Sequence, residues 1–169
     1  MKKLTFSALS VVLVLLCSCK SPSAGSANPA DDLTFSKLIY HLSKCNGTCP
    51  SMDLQIDNNK NVYVNREFYR TKSTIDSVNS GRFKGTLSQG QYNKLIEVLK
   101  KSKLDSLEFT PVGITDVSET TLIVYYNGKR KYLHSARPAP AAEELINFIK
   151  SVGNDRSLER TTEVKELEN

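Results

Sequence analysis

Two of the four cysteines stand in the run Cys45-Asn46-Gly47-Thr48-Cys49-Pro50, the one compact constellation in the 169-residue chain with chemical potential. A pair four residues apart reaches bonding distance if the glycine between them turns the chain sharply, because glycine has no Cβ to resist it. In an oxidising compartment the two thiols then close a small ring. In the chain-entropy picture such a ring contributes only about 2 kcal/mol and chiefly stiffens the segment that carries it. Left reduced, the same sulfurs could exchange thiols or hold a soft metal ion, with His41 or His134 supplying a nitrogen. Residue types leave both chemistries open: a structural disulfide Cys45–Cys49 as the leading reading, and a metal or thiol site of Cys45, Cys49 and His41 as the alternative.

Little else in the chain can do chemistry. No Gly-x-Ser-x-Gly elbow, phosphate loop, His-Glu-x-x-His or paired-cysteine zinc spacing occurs, so no catalytic residue and no cofactor is expected. The pair Glu143-Glu144 falls at the start of an expected helix, where the macrodipole accounts for it. Asp76-Ser77-Val78 and Asp105-Ser106-Leu107 resemble the short O-glycosylation sequon of some Gram-negative envelope proteins, making Ser77 and Ser106 candidates for modification.

The elements that must position the cysteine run read as follows. The apolar segment 38–42 predicts a first strand ending at the loop. Met52, Leu54 and Ile56 alternate with Asp53, Gln55 and Asp57, and after a turn at 57–60 the alternation resumes at Val62 and Val64, which predicts a hairpin. Residues 70–80 read as a polar loop and 82–87 as a short strand. Ser88 with Gln91 three later forms a capping box ahead of Tyr92, Leu95, Ile96 and Leu99, which predicts a helix over about 89–101. Asn127-Gly128 between two β-prone runs, 120–126 and 129–135, is a strong hairpin signal, because both turn positions tolerate positive φ. Pro138 and Pro140 then break the strand and open a second helix with Leu145, Ile146, Ile149 and Val152 on its inner face. Strand, hairpin, strand, helix, hairpin, helix predicts an α+β two-layer sandwich, an antiparallel sheet of about five strands with two helices on one face.

The chain begins with Lys2 and Lys3, followed by a 13-residue run from Leu4 to Leu16 interrupted only by Thr5, Ser7 and Ser10. That is signal-peptide length, short of the roughly 20 apolar residues a permanent span needs. Leu16-Cys17-Ser18-Cys19 resembles the bacterial lipobox, in which a small residue precedes the cysteine that is lipidated. Cys19 fits; Cys17 does not, because the bulky Leu16 precedes it. The resemblance implies that Cys19 carries acyl chains, enough for a stable anchor. Residues 1–18 are then the signal, 19–32 a small, polar tether, 33–153 the folded domain and 154–169 a charged tail expected to be disordered.

Across 33–153 there are 17 basic and 11 acidic residues, a net charge of +6. They are scattered, which suits a solvated surface; the one cluster, Lys129-Arg130-Lys131, reads as an exposed hairpin arm. With an exported chain and no basic-aromatic groove, nucleic acid is not an expected partner. The membrane through the N-terminal lipid, an envelope protein and a surface polymer are. The expected location is the cell envelope, on the outer or inner membrane, with the domain outside the cytoplasm.

The cysteine run is similar to a loop in a family of uncharacterised domains found in Gram-negative lipoproteins, which carry Cys-x-Gly-x-Cys-Pro between a first strand and a hairpin. Cys45, Gly47, Thr48, Cys49 and Pro50 occupy the matching positions, whereas Asn46, Ser51 and Met52 depart from the aromatic and hydrophobic residues often found there. The likeness extends over about 38–152 and implies location and fold but no reaction. Cys-x-x-x-Cys-Pro also occurs in thioredoxin-type copper proteins, where a helix follows it; here Pro50 leads into an alternating strand. The expected function is therefore a non-enzymatic binding or structural module, with periplasmic thiol or copper chemistry as the alternative.

Overall fold

A computed structural model describes residues 33–169; the expected signal, tether and lipidation site Cys19 lie outside the described residues. The chain runs β1 (Phe35–Leu42), β2 (Ser51–Asp57), β3 (Asn61–Glu67), β4 (Tyr69–Thr71), β5 (Thr74–Ile75), β6 (Gly81–Thr86), α1 (Gln89–Lys101), β7 (Thr120–Tyr126), β8 (Lys129–Ser135), a 3-10 turn at Pro140–Ala142, α2 (Glu143–Gly153) and β9 (Glu159–Arg160). Seven strands form one sheet in the order β8-β7-β1-β2-β3-β6-β9, every neighbouring pair antiparallel. This is the expected α+β sandwich with two more strands in the sheet than the five predicted. The short β4–β5 hairpin stands apart from it, within the stretch expected to be loop.

Local chemistry sets most boundaries. Ser88 Oγ accepts from the Gln91 amide at 3.2 Å, and Gln91 Oε1 accepts from the Ser88 amide at 2.8 Å, so the predicted capping box opens α1. Asn127 (φ 50°) and Gly128 (φ 71°) turn β7 into β8, as a two-residue hairpin of this twist requires. Asn127 also ties that turn to the start of β1, its Oδ1 accepting from the Thr34 amide at 2.7 Å.

One face of the sheet carries the core. Leu38 and Tyr40 of β1, Met52, Leu54 and Ile56 of β2, Val62 and Val64 of β3, and Leu122 and Val124 of β7 pack against Leu95, Val98 and Leu99 of α1 and Leu145, Ile149 and Val152 of α2. The β2 side chains alternate buried and half-buried along the strand, as expected of a strand with one solvated face. The central strands β1 and β7 do not: Ile39 and Ile123, directly opposite each other and pointing away from the helices, are fully buried as well. Something covers the outer face there.

The cover is the C-terminal segment. Residues 154–169, expected to be disordered, are ordered: after α2 the chain adds β9 to the β6 edge, then crosses the outer face of the sheet. Their docking rests on individual anchors and not on an apolar face, which is why composition alone reads them as a loose tail. Leu158 packs on the core margin over Gly85. Arg160 lies 4.8 Å from the Phe83 ring centre, and the Thr161 amide donates to the Arg82 carbonyl at 3.0 Å.

Candidate functional site

The cysteine loop joins β1 to β2. Cys45 and Cys49 form a disulfide with Cα atoms 5.5 Å apart. The loop is pinned from outside: the Ser43 amide donates to the Glu119 carbonyl at 2.9 Å, and Ser43 Oγ accepts from the Glu119 amide at 2.8 Å. Gly47 is not in the left-handed region; a Cβ at this position would lie 3.3 Å from Cys45 Sγ, so its contribution is room for the sulfur. With both thiols consumed, and both ring nitrogens of His41 bonded elsewhere, Cys45, Cys49 and His41 are not assembled as a metal site. Among the described residues, no group of three or more histidine, cysteine, aspartate or glutamate side chains could hold a metal ion. His134 pairs with Thr121 Oγ1 at 2.8 Å. Ser77 and Ser106 are both exposed, each in a turn.

Side chains with matched chemistry converge on the outer face of the sheet instead, and strand register lays them out in rows. One row runs Tyr132, Ile123, Ile39, Gln55, Tyr63 and Lys84 from β8 to β6. A second runs His134, Thr121, His41, Asp53, Asn65 and Arg82, and a third places Arg130, Tyr125 and Lys37 side by side. The C-terminal segment crosses these rows. The Tyr63 hydroxyl donates to the Glu163 carbonyl at 3.2 Å and accepts from the Lys165 amide at 3.4 Å.

At the far end the third row receives Glu168. The Tyr125 hydroxyl donates to its Oε2 at 2.6 Å, Arg130 Nε donates to Oε1 at 2.7 Å, and Lys37 Nζ stands 3.7 Å from Oε2. Lys37 also sits over the Tyr125 ring at 4.5 Å. These donors hold the Glu168 carboxyl below its usual range, the Tyr125 bond first and Arg130 next, and the carboxylate in turn raises the Tyr125 hydroxyl. The cluster Lys129-Arg130-Lys131 lies on a hairpin arm, as expected, and each of its residues has an acidic partner: Lys129 pairs with Asp105 at 2.9 Å, Arg130 with Glu168, and Lys131 with Glu108 at 2.7 Å.

His41 stands between the rows. Its Nδ1 lies 2.8 Å from Asp53 Oδ1 and its Nε2 2.7 Å from the Glu168 carbonyl oxygen. Both partners only accept, so both bonds form together only when the ring is the doubly protonated imidazolium. The Asp53 bond raises the His41 pKa above its ordinary 6.5, with burial opposing and the Glu168 carbonyl assisting. Two clefts flank the segment: an open one of about 560 Å³, bordered by Gln55, Tyr63, Lys84, Glu163 and Lys165, and a smaller one of about 170 Å³ at His41, Asp53, Asn65 and Arg82.

Sequence reasoning missed two features. Arg66 occupies an inward position of β3, 7% exposed, with its guanidinium 4.2 Å from the Phe83 ring centre and bonded to the carbonyls of Asn79 and Gly153. It clamps the C-terminus of α2, where the helix dipole favours a cation; burial lowers its pKa. The signal was a charged residue in phase with Val62 and Val64. The second is the covered outer face, signalled by three consecutive apolar residues in each of two strands: Leu38-Ile39-Tyr40 and Leu122-Ile123-Val124.

An antiparallel sheet backed by two helices, with a polar and aromatic outer face, defines a two-layer α+β domain. The family model described as a domain of unknown function, DUF6438, matches residues 36–154, and the chain belongs to that family. No curated protein matches the chain.

Proposed function

We propose that this chain is a membrane-anchored envelope lipoprotein, lipidated on Cys19, whose folded domain is a non-enzymatic binding module working through the outer face of its sheet. The observation that carries the binding reading is the convergence of Lys37, Tyr125 and Arg130, from three adjacent strands, on a single carboxylate. Such an array recognises charge and shape. The anchoring reading is supported by the short apolar run, the Leu16-Cys17-Ser18-Cys19 segment and the small, polar stretch that follows. Among the described residues, no helix is long and apolar enough to cross a membrane.

Mass spectrometry of the mature protein tests the anchor. The expected N-terminal residue is Cys19 with diacylglycerol on sulfur and an acyl chain on nitrogen, and Cys19→Ser is expected to leave the membrane fraction; an unacylated terminus overturns the anchor. A photo-crosslinking residue at the exposed Tyr132, in intact envelopes, tests the surface. Adducts are expected there and not from a probe at Lys150 on α2; the reverse pattern overturns the outer-face reading.

A further inference from the structure

We propose that the groove running across the outer face from Tyr63 to Arg130 is a docking site for an extended acidic peptide segment of a partner protein, and that residues 161–169 occupy it in cis as a displaceable stand-in. The proposal rests on the outer-face reading above and deepens it by naming the partner's chemistry.

The contacts define what the groove asks of an occupant. Tyr63 reads backbone, meeting the Glu163 carbonyl and the Lys165 amide. His41 also reads backbone, meeting the Glu168 carbonyl. Two occupant carboxylates are paired: Lys84 stands 3.7 Å from Glu163, and Lys37 and Arg130 hold Glu168 together with Tyr125. Glu163, Val164, Lys165 and Glu166 are otherwise exposed, Val164 at 69%. The requirement is therefore short: an extended backbone with a glutamate five residues after the one whose carbonyl meets Tyr63. Many acidic segments satisfy that.

The energetics favour exchange. The stretch 161–169 carries only two aliphatic side chains, Val164 and Leu167, and neither is fully buried. A segment held by exposed ion pairs and side-chain-to-backbone bonds opens at a small fraction of the global unfolding free energy. Opening uncovers Ile39 and Ile123, an apolar floor set between the backbone-reading and carboxylate-reading positions. Charge is complementary: residues 33–153 carry net +6, whereas 161–169 hold three glutamates against one lysine. A segment tethered in cis competes at an effective concentration of about millimolar, so the free groove is masked until the tail is displaced.

The test uses a fluorescein-labelled nonapeptide with the sequence of residues 161–169 and the full chain, read by fluorescence anisotropy. Glu168→Lys, which expels the tail by placing a cation against Lys37 and Arg130, is expected to raise affinity for the peptide at least tenfold over the wild-type chain. Adding Arg130→Ala, which cannot re-form an ion pair with the substituted tail, is expected to abolish the gain, and a peptide with glutamine at the Glu168 position is expected to bind at least tenfold more weakly. A chain shortened after Thr162, which keeps β9, should behave like Glu168→Lys, with circular dichroism reporting its fold. Equal affinity for wild type and Glu168→Lys, or a gain that survives Arg130→Ala, overturns the proposal. A concentration-dependent dimer of the wild-type chain, lost on shortening, reassigns the groove to the tail of a second copy and also overturns it. Crosslinks at Tyr132 without peptide affinity remove the acidic-peptide assignment alone; loss of both removes the outer-face reading with it.

Discussion

At the scale of single residues, buried Arg66 and the pair Cys45–Cys49 make opposite demands on stability. Arg66 is satisfied by two backbone carbonyls and an aromatic ring, with no carboxylate bonded to it. Removing it strands both carbonyls and vacates the space its stem fills, so Arg66→Ala is expected to destabilise the fold by about 2 to 4 kcal/mol in urea or thermal denaturation. Lysine should restore little, since a single ammonium cannot span both carbonyls while lying flat on Phe83. The disulfide closes only a five-residue ring, which limits its effect on the unfolded chain. Cys45→Ser with Cys49→Ser is expected to cost about 2 kcal/mol at most in the same assay, leaving the sheet intact. A larger loss would mean that the loop also orders the segment around Glu119, to which Ser43 is bonded.

Among the elements, those coded by neighbours were legible and those coded by distant contacts were not. The β2–β3 and β7–β8 hairpins, the capping box of α1 and the proline-led start of α2 each depend on residues within a few positions, and each stands where the sequence predicts. The C-terminal segment depends on Tyr63, Tyr125 and His41, roughly 40 to 130 positions away, and no local pattern announces it. Its docking should depend on pH in a way set by two groups. The His41 pKa is raised above 6.5, so its contribution is complete below 6.5 and is lost as pH rises through the raised value. The Glu168 pKa is lowered below 4.5, so its contribution is complete above 4.5 and is lost as pH falls through the lowered value. Arg130 and Tyr125, whose pKa values are both raised, keep their protons across that window. Protection of amides 163–169 against hydrogen exchange, taken relative to the intrinsic rate at each pH, should therefore be greatest between about pH 4.5 and 6.5. His41→Phe should flatten the upper limb while sparing the lower one; a profile unchanged by that substitution would remove His41 from the latch.

For the whole molecule, the family match ends at residue 154, where α2 has closed the core, whereas the folded chain continues to residue 169. The family match and the segment across the outer face therefore fall on different residues. A chain ending at residue 154 keeps both helices, the disulfide and six strands of the main sheet, and loses Leu158 from the core margin, Arg160 from Phe83 and the cover over Ile39, Ile123 and Tyr63. Those losses correspond to roughly 2 to 4 kcal/mol of burial and bonding. The resulting drop in Tm is on the order of 10 °C, with unfolding still cooperative. Because the uncovered floor is apolar, the shortened chain should bind an apolar dye such as ANS well below its Tm, and the intact chain should not. If instead the shortened chain loses its near-ultraviolet dichroism at 25 °C, the tail is an integral layer of the fold, and the outer face is never free for a partner.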